Sequence, residues 1–250
     1  MLKIADYVEK LLSCRPSRTK LRSLLKAQGL SWKKCRKLLR KADPLKRAAF
    51  IEKFQTIFER VCQEEHILLY IDEAHLHRDM DLGYSWSPKG QPDYRESACA
   101  SLSDRINWYG VYNFTQGQCF IWSEGACNTD NTMLFLERVA DWLGKPHQSV
   151  TIIWDGAPWH RAIRLKELAA ELGFELIPLP GYSPDLNPIE GLWKWMREEV
   201  TQHHSYNSVR DLFDACKQFV DRINLDPDAI IKRLWPKFEL DPLFEKLLIS

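Results

Sequence analysis

Two hydrophobic periodicities divide the chain. Up to about residue 64 apolar positions recur at helical spacing. Residues 4–12 set Ile4, Val8, Leu11 and Leu12 on one face. Ser13–Pro16 reads as a turn. Ser17 is a candidate N-cap for a second helix that reaches about Gln28, with Leu21, Leu24 and Leu25 inward and Gly29 as terminator. Asp43 followed by Pro44 is a helix start, cap and first position in turn. The helix it opens runs to about residue 64 on a stripe of Ala48, Ile51, Phe54, Phe58 and Val61.

Beyond residue 64 short apolar runs take over. Residues 66–72 (HILLYID) and 149–154 (SVTIIW) are apolar throughout, as in strands buried on both faces. Residues 107–113 and 118–124 alternate and flank TQGQ, which predicts a hairpin. Helices are predicted over 130–143, 162–172, 188–202 and 207–223, and a short strand over 174–178. Strand, hairpin, helix, strand, helix, strand, helix is the order of a mixed α/β domain around a central sheet. The reading is therefore of two domains. Residues 1–43 form a small all-α, partial helix-turn-helix with a basic linker, and residues 44–250 form the α/β domain. A complete helix-turn-helix needs a third helix, and none precedes this pair.

Charge sharpens that division. The chain of 250 residues has a net charge of +1, but its first 50 residues hold 15 Lys and Arg against 3 Asp and Glu. The remainder holds 20 against 31. A basic arm on an acidic body suits a nucleic-acid contact joined to something that gathers carboxylates. Arg18, Lys20 and Arg22 on the second helix, and Lys33, Lys34, Arg36 and Lys37 in the segment after it, are the candidate DNA contacts. Solvated basic helices carry the same composition. Other classes recede. No apolar run approaches the roughly 18–20 residues that span a bilayer, and the N-terminus lacks a small-residue cleavage site. Seven scattered cysteines without a CxxC fit neither a disulfide framework nor a structural zinc site, and fit a reducing cytosol.

Asp72 and Asp155 end the two strands that are apolar throughout. If those strands are parallel neighbours, both carboxylates emerge at one sheet edge, where open α/β sheets bind ligands. Glu190 follows Asn187-Pro188-Ile189, and a capping box with Asn187 as cap explains it without chemistry. An Asp at a strand end equally serves as a turn former. Three carboxylates at one site repel unless a cation neutralises them, and carboxylate oxygens favour Mg2+ or Mn2+. Two such ions suit phosphodiester cleavage.

The strings Tyr70-Ile-Asp72-Glu-Ala-His75, Trp154-Asp155-Gly-Ala-Pro-Trp-His160 and Leu179-Pro-Gly-Tyr-Ser-Pro-Asp-Leu-Asn-Pro-Ile-Glu190-Gly-Leu-Trp193 resemble DDE transposases. The likeness is to the bacterial insertion-sequence branch of the mariner-like superfamily and covers roughly residues 17–235. Thirty-four residues lie between Asp155 and Glu190, the spacing of that superfamily's Asp-Asp-Glu form. The resemblance implies a ribonuclease-H-like fold with the aspartates on the first and fourth strands and the glutamate on a following helix. It implies Asp72, Asp155 and Glu190 as catalytic residues and ligands of Mg2+ or Mn2+, with two ions. It also implies cleavage at the terminal inverted repeats, joining of the 3′ hydroxyl to a TA target, and a homodimer on double-stranded DNA in a bacterial cytoplasm, at the nucleoid.

His160 lies where the family often has a histidine, and either touches the scissile phosphate or supports the loop from within. Glu73, next to Asp72 on a strand, is expected on the opposite side and is not counted as a ligand. Trp193 and Met196 follow the inward stripe of their helix with Ile189. Trp86, Lys89 and Gly90 resemble a loop that approaches DNA, or form a solvated loop. Family members carry a longer helix-turn-helix region than the one here. The alternative reading is thus an N-terminally truncated, non-catalytic DNA-binding remnant or regulator.

Overall fold

The computed structural model describes residues 2–31, 43–97, 103–144 and 146–236, the side chains of Leu2, Lys3 and Leu12 aside. Lys33, Lys34, Arg36 and Lys37 lie outside the described residues. The chain forms two compact units, Met1–Leu38 and Leu39–Ser250.

In the first unit α1 (Leu2–Leu12) and α2 (Arg18–Ala27) form a helical pair. Ser17 caps α2, its hydroxyl accepting from the Lys20 N–H at 3.2 Å. Arg15 pairs with Asp6 at 2.7 Å and also with Glu9 across the turn. Ala5 and Leu21 are buried, but Ile4, Leu11 and Leu24 are exposed. The inward position expected for Leu24 is therefore corrected, and the face that Ile4 and Leu11 share is exposed at both residues. Two short helices share one line of contact, which covers a small residue and one leucine. Arg18, Lys20 and Arg22 are exposed on α2.

The second unit is a three-layer α/β/α body. Asp43 caps α3 (Pro44–Cys62), accepting from the N–H groups of Leu45 and Lys46. The sheet has the order β3-β2-β1-β4-β5. Its strands are β1 (His66–His77), β2 (Arg105–Asn113), β3 (Gln118–Trp122), β4 (Ser149–Trp154) and β5 (Phe174–Pro178). β1 runs parallel to β4, and β4 to β5, while β1–β2 and β2–β3 are antiparallel. Alternation along β1 sorts its side chains between two cores. Leu68, Tyr70, Ala74 and Leu76 face α3, α6 (Glu190–Met196) and α7 (Val209–Ile223). Ile67, Leu69 and Ile71 face α4 (Thr129–Leu143) and α5 (Ile163–Glu171). A further helix, α8 (Pro227–Arg233), adds Ile230 to the first core.

β1 is longer than its apolar run. It continues past Asp72 to His77, because β2 keeps pairing with it from Asn113 down to Arg105. β4 stops pairing earlier, at Tyr70↔Ile153. Asp72 is thus not the strand's last residue. It sits two positions beyond the last residue of β1 that pairs with β4, where the sheet opens on one side. Among the described residues no helix is long and apolar enough to cross a membrane.

Candidate active site

Asp72 projects toward α6. The Trp193 indole donates its Nε1–H to Asp72 Oδ2 at 3.0 Å. Both groups are buried, Asp72 at 9% exposure and Trp193 at 1%. The indole reaches the carboxylate because the residue opposite Asp72 on β2 is Gly110. A Cβ built there would stand 2.4 Å from Trp193 Cη2. Gly110→Ala is therefore expected to push the indole aside and destabilise the fold by about 1–3 kcal/mol, the usual penalty of overpacking. A thermal melt that matches wild type would show that the indole has other room.

Asp155 is the first residue after β4. Its Oδ1 accepts from the Ala157 N–H at 2.9 Å, which closes a tight turn. The same oxygen lies 2.9 Å from His160 Nδ1. His160 sits in a 3-10 turn, Pro158–Arg161, and is 4% exposed. Its ring stacks on Trp154 with centroids 4.3 Å apart. His160 is thus buried and held within the loop, and it also lines the cleft of the three carboxylates. Its other nitrogen, Nε2, is 3.0 Å from Glu73 Oε1. Glu73 does face the opposite side of β1 from Asp72, but the β4 loop turns to that side and reaches it.

Glu190 opens α6 as its first residue. The expected capping box is absent. Ile189 occupies the cap position and no side chain caps the helix. Asn187 has the extended backbone that a cap residue takes, after the 3-10 turn Pro184–Leu186, but its side chain makes no capping hydrogen bond to the turn that follows. Its Oδ1 is buried and has no hydrogen-bond partner among the described residues. The local explanation of Glu190 as a capping residue therefore fails.

Asp72, Asp155 and Glu190 line one cleft of about 1130 Å³, together with Asn187, His160, Arg161, Lys166 and Tyr182. Their electrostatics differ. Burial, then the charges of Glu190, Glu73 and Asp155, push the Asp72 carboxyl well above the ordinary range, against one opposing N–H from Glu73. Burial and the Asp155 charge raise Glu190, with Arg197 opposing. For Asp155 burial works upward, but the His160 hydrogen bond, the Ala157 N–H and the His160 charge outweigh it and hold the carboxyl below its ordinary range. Burial likewise opposes a charge on His160, yet hydrogen bonds to Asp155 and Glu73 and their charges hold it up to about 9.

Oxygen donors that repel one another, one of them deeply buried, fit a hard divalent cation. The orphaned Asn187 Oδ1 in the same cleft adds a neutral oxygen. Among the described residues, one group of three candidate ligands has its ligand atoms within 4.8 Å of one another: Glu73, Asp155 and His160. The set Asp72, Asp155 and Glu190 is not so tightly gathered. Sequence reasoning missed the part Glu73 plays. Its signal was the pair of adjacent acids ending an apolar run.

Fold and cleft together define an α/β body with carboxylates gathered at the open end of β1 and β4. Residues 67–213, more than half of the chain, match the DDE superfamily endonuclease family, and the chain belongs to it. Residues 3–54 match a winged helix-turn-helix family. Among curated proteins the chain is 23% identical over 229 residues to an uncharacterized 39 kDa protein of insertion element IS630 from Shigella sonnei. That match takes in 90% of this chain and 64% of the relative, so the chain spans about two thirds of the relative's length. Solved structures with the same fold include the Mos1 transposase paired-end complex with the left transposon end. The TM-score is 0.71 at 16% identity, covering 98% of this chain and 73% of that one. The catalytic domain of Mos1 mariner transposase matches with a TM-score of 0.56 at 16% identity, over 87% and 96% of the two chains. The mixed five-stranded sheet with flanking helices is thus the ribonuclease-H-like fold expected from the motifs, beside a helical N-terminal region.

Proposed function

We propose that the chain is a transposase that cleaves DNA at transposon ends and transfers the 3′ hydroxyl into target DNA. One observation carries the reading: Asp72, Asp155 and Glu190, from three separate segments, line a single cleft. Asp72 lies within β1 just past its pairing with the parallel β4, Asp155 follows the end of β4, and Glu190 begins α6. These three are proposed as the catalytic carboxylates and as the ligands of Mg2+ or Mn2+. Mos1 complexes have been solved with each of these metals.

A divalent cation held there supplies Lewis-acid activation of water and of the phosphoryl oxygen. The protein's own share is to fix the carboxylates and to seat the strand. Arg161 and Lys166 line the same cleft and offer positive charge to a phosphate backbone. In cleavage, water attacks phosphorus, the P–O3′ bond breaks and the 3′ oxygen leaves as a hydroxyl. In joining, that hydroxyl attacks a target phosphodiester and displaces the target's own 3′ oxygen. A TA target, the terminal inverted repeats as substrate and a homodimer holding two ends belong to the same proposal.

The test is a nicking and strand-transfer assay on DNA carrying the element's own ends, with Mg2+, Mn2+ or EDTA. Cutting in the two metals and none in EDTA supports the reading. Binding without cutting in any metal favours the non-catalytic remnant instead.

Residues 1–43 are proposed as the DNA-binding arm and 44–250 as the catalytic domain. Replacing Arg18, Lys20 and Arg22 together by alanine is expected to flatten the plot of log affinity against log salt. Its slope should fall by roughly 2 to 3, about one unit for each phosphate that no longer meets a cationic side chain. An unchanged slope would show that duplex DNA is held elsewhere.

A further inference from the structure

We propose that Glu73 is a positioning residue: acting through His160, it fixes the Asp155 carboxylate in the orientation from which that carboxylate binds the divalent ion. The inference rests on the reading of Asp155 as a metal ligand and deepens it.

Glu73 stands beside Asp72 in sequence but across the sheet from it. There its side chain is 9% exposed, and a single oxygen receives two donors. Trp159 Nε1–H donates to Oε1 at 3.2 Å, and His160 Nε2 lies 3.0 Å from the same atom. The other nitrogen of His160 faces Asp155 Oδ1 at 2.9 Å. Stacking of the imidazole on Trp154, with 5° between the planes, holds the ring against rotation. A continuous chain of contacts therefore runs from β1 through the ring to the loop after β4.

The chain has a directional consequence. The Ala157 N–H and the nearer contact of His160 Nδ1 fall on Asp155 Oδ1, and Nδ1 is also 3.2 Å from the main-chain oxygen of Asp155. Neither of these Oδ1 contacts involves Oδ2. A partner on one ring nitrogen decides what the other nitrogen presents, and such partners orient metal-binding groups in many sites. Glu73, Asp155 and His160 also lie close enough to suggest a chelate of their own. Their bonding argues otherwise. Each ring nitrogen is already at hydrogen-bond distance from a carboxylate, so the imidazole bridges the two acids, and an ion bound by all three would have to break that bridge.

Remove Glu73 and Nε2 loses its acceptor. The ring is then free to change tautomer or tilt, and Asp155 loses its fixed orientation. The test uses the full chain and two readouts: the Mn2+ concentration for half-maximal nicking, and the rise in Tm that Mn2+ produces without DNA. Glu73→Ala is expected to raise the half-saturating Mn2+ by about 10- to 100-fold in both. DNA binding in EDTA should stay at the wild-type level. Glu73→Gln keeps an oxygen for the His160 Nε2–H and is expected within about threefold of wild type, since the orienting bond survives. If the alanine variant does not fold, Glu73→Met fills the same volume without an acceptor and carries the same expectation.

Wild-type Mn2+ dependence in Glu73→Ala or Glu73→Met overturns the proposal. So does a glutamine variant as impaired as the alanine one, since Glu73 would then act by its charge. A wild-type chain with no Mn2+ response in either readout removes the metal-site reading itself, which is a different failure and is seen before any variant is made.

Discussion

Asp155→Asn is expected to lose metal-dependent strand cleavage by at least about a thousandfold, some 4 kcal/mol of transition-state stabilisation, while binding DNA as wild type does. Asparagine has the volume of aspartate and can still accept from the Ala157 N–H. It lacks the negative charge that a divalent ion needs. Because DNA contact is assigned to the basic arm, binding should not follow cleavage down. Equal loss of both would mean that the substitution disturbs the fold or that Asp155 touches DNA directly.

The same variant has a second signature in the metal-free protein. Asp155 is held below its ordinary range and His160 is held up to about 9, each by the other and by the neighbours named above. The depressed Asp155 contributes stability above its unfolded value of about 3.9, lost as pH falls through the folded pKa. The raised His160 contributes stability below its unfolded value of about 6.5, lost as pH rises toward 9. The wild-type advantage in Tm over Asp155→Asn should therefore be widest between about pH 4 and 6.5 and should narrow toward pH 9. Asp155 is about half exposed, 49% at its side chain, so solvent screening keeps the pair's contribution modest. A difference that stays flat from pH 5 to 9 would deny the coupling.

Much of this was legible in the sequence, and the misses share a cause. The strands read at 66–72 and 149–154 show themselves because a strand covered on both faces is apolar along nearly its whole length. The hairpin shows itself by alternation around a Gly-containing turn. Glu73 to His77 alternates polar and apolar, a strand signal that a reading to residue 72 leaves unused, and β2 pairs with it throughout. Asn187-Pro188-Ile189-Glu190 satisfies the local rule for a capping box. Asn187 has a cap residue's extended backbone, yet its Oδ1 meets no N–H among the described residues, and the helix begins at Glu190. Ile4, Leu11 and Leu24 obey helical period but find no full cover among the described residues, because period tells which positions share a face and not what meets it. Glu73 was set aside on a correct argument about strand geometry. The argument could not foresee that the loop after β4 turns to the same side and carries His160 with it.

Asp72→Asn is expected to stabilise the metal-free protein at neutral pH by about 1–3 kcal/mol, the scale on which an uncompensated buried polar group is penalised. A Tm increase of several degrees follows for a chain of this size. Asp72 is buried, receives one indole N–H and faces the charges of Glu190, Glu73 and Asp155. Asparagine keeps an oxygen for Trp193 and turns an amide toward those acids, so a repulsion becomes a donor contact. The sign follows from the raised pKa. A folded carboxyl that binds its proton more tightly than the unfolded one loses stability as pH rises above about 3.9, and the loss is complete once pH passes the folded value. The advantage of the variant should thus vanish near pH 3.9, grow through the acid range and persist at neutral pH. Divalent metal should reverse the order. Wild type gains RT ln(1 + [M]/Kd) from an ion that binds the folded state, and the variant, with a ligand charge gone, gains far less. Melting both proteins in EDTA and in Mn2+ separates the terms. If Asp72→Asn melts lower than wild type in EDTA at neutral pH, Asp72 is a stabilising acceptor for Trp193. If it melts higher in EDTA and lower in Mn2+, the chain tolerates a strained, repelling acid at the open end of β1 because a cation relieves the strain. That trade of stability for function is common where chemistry is done, and here it falls on the carboxylate that is buried most deeply.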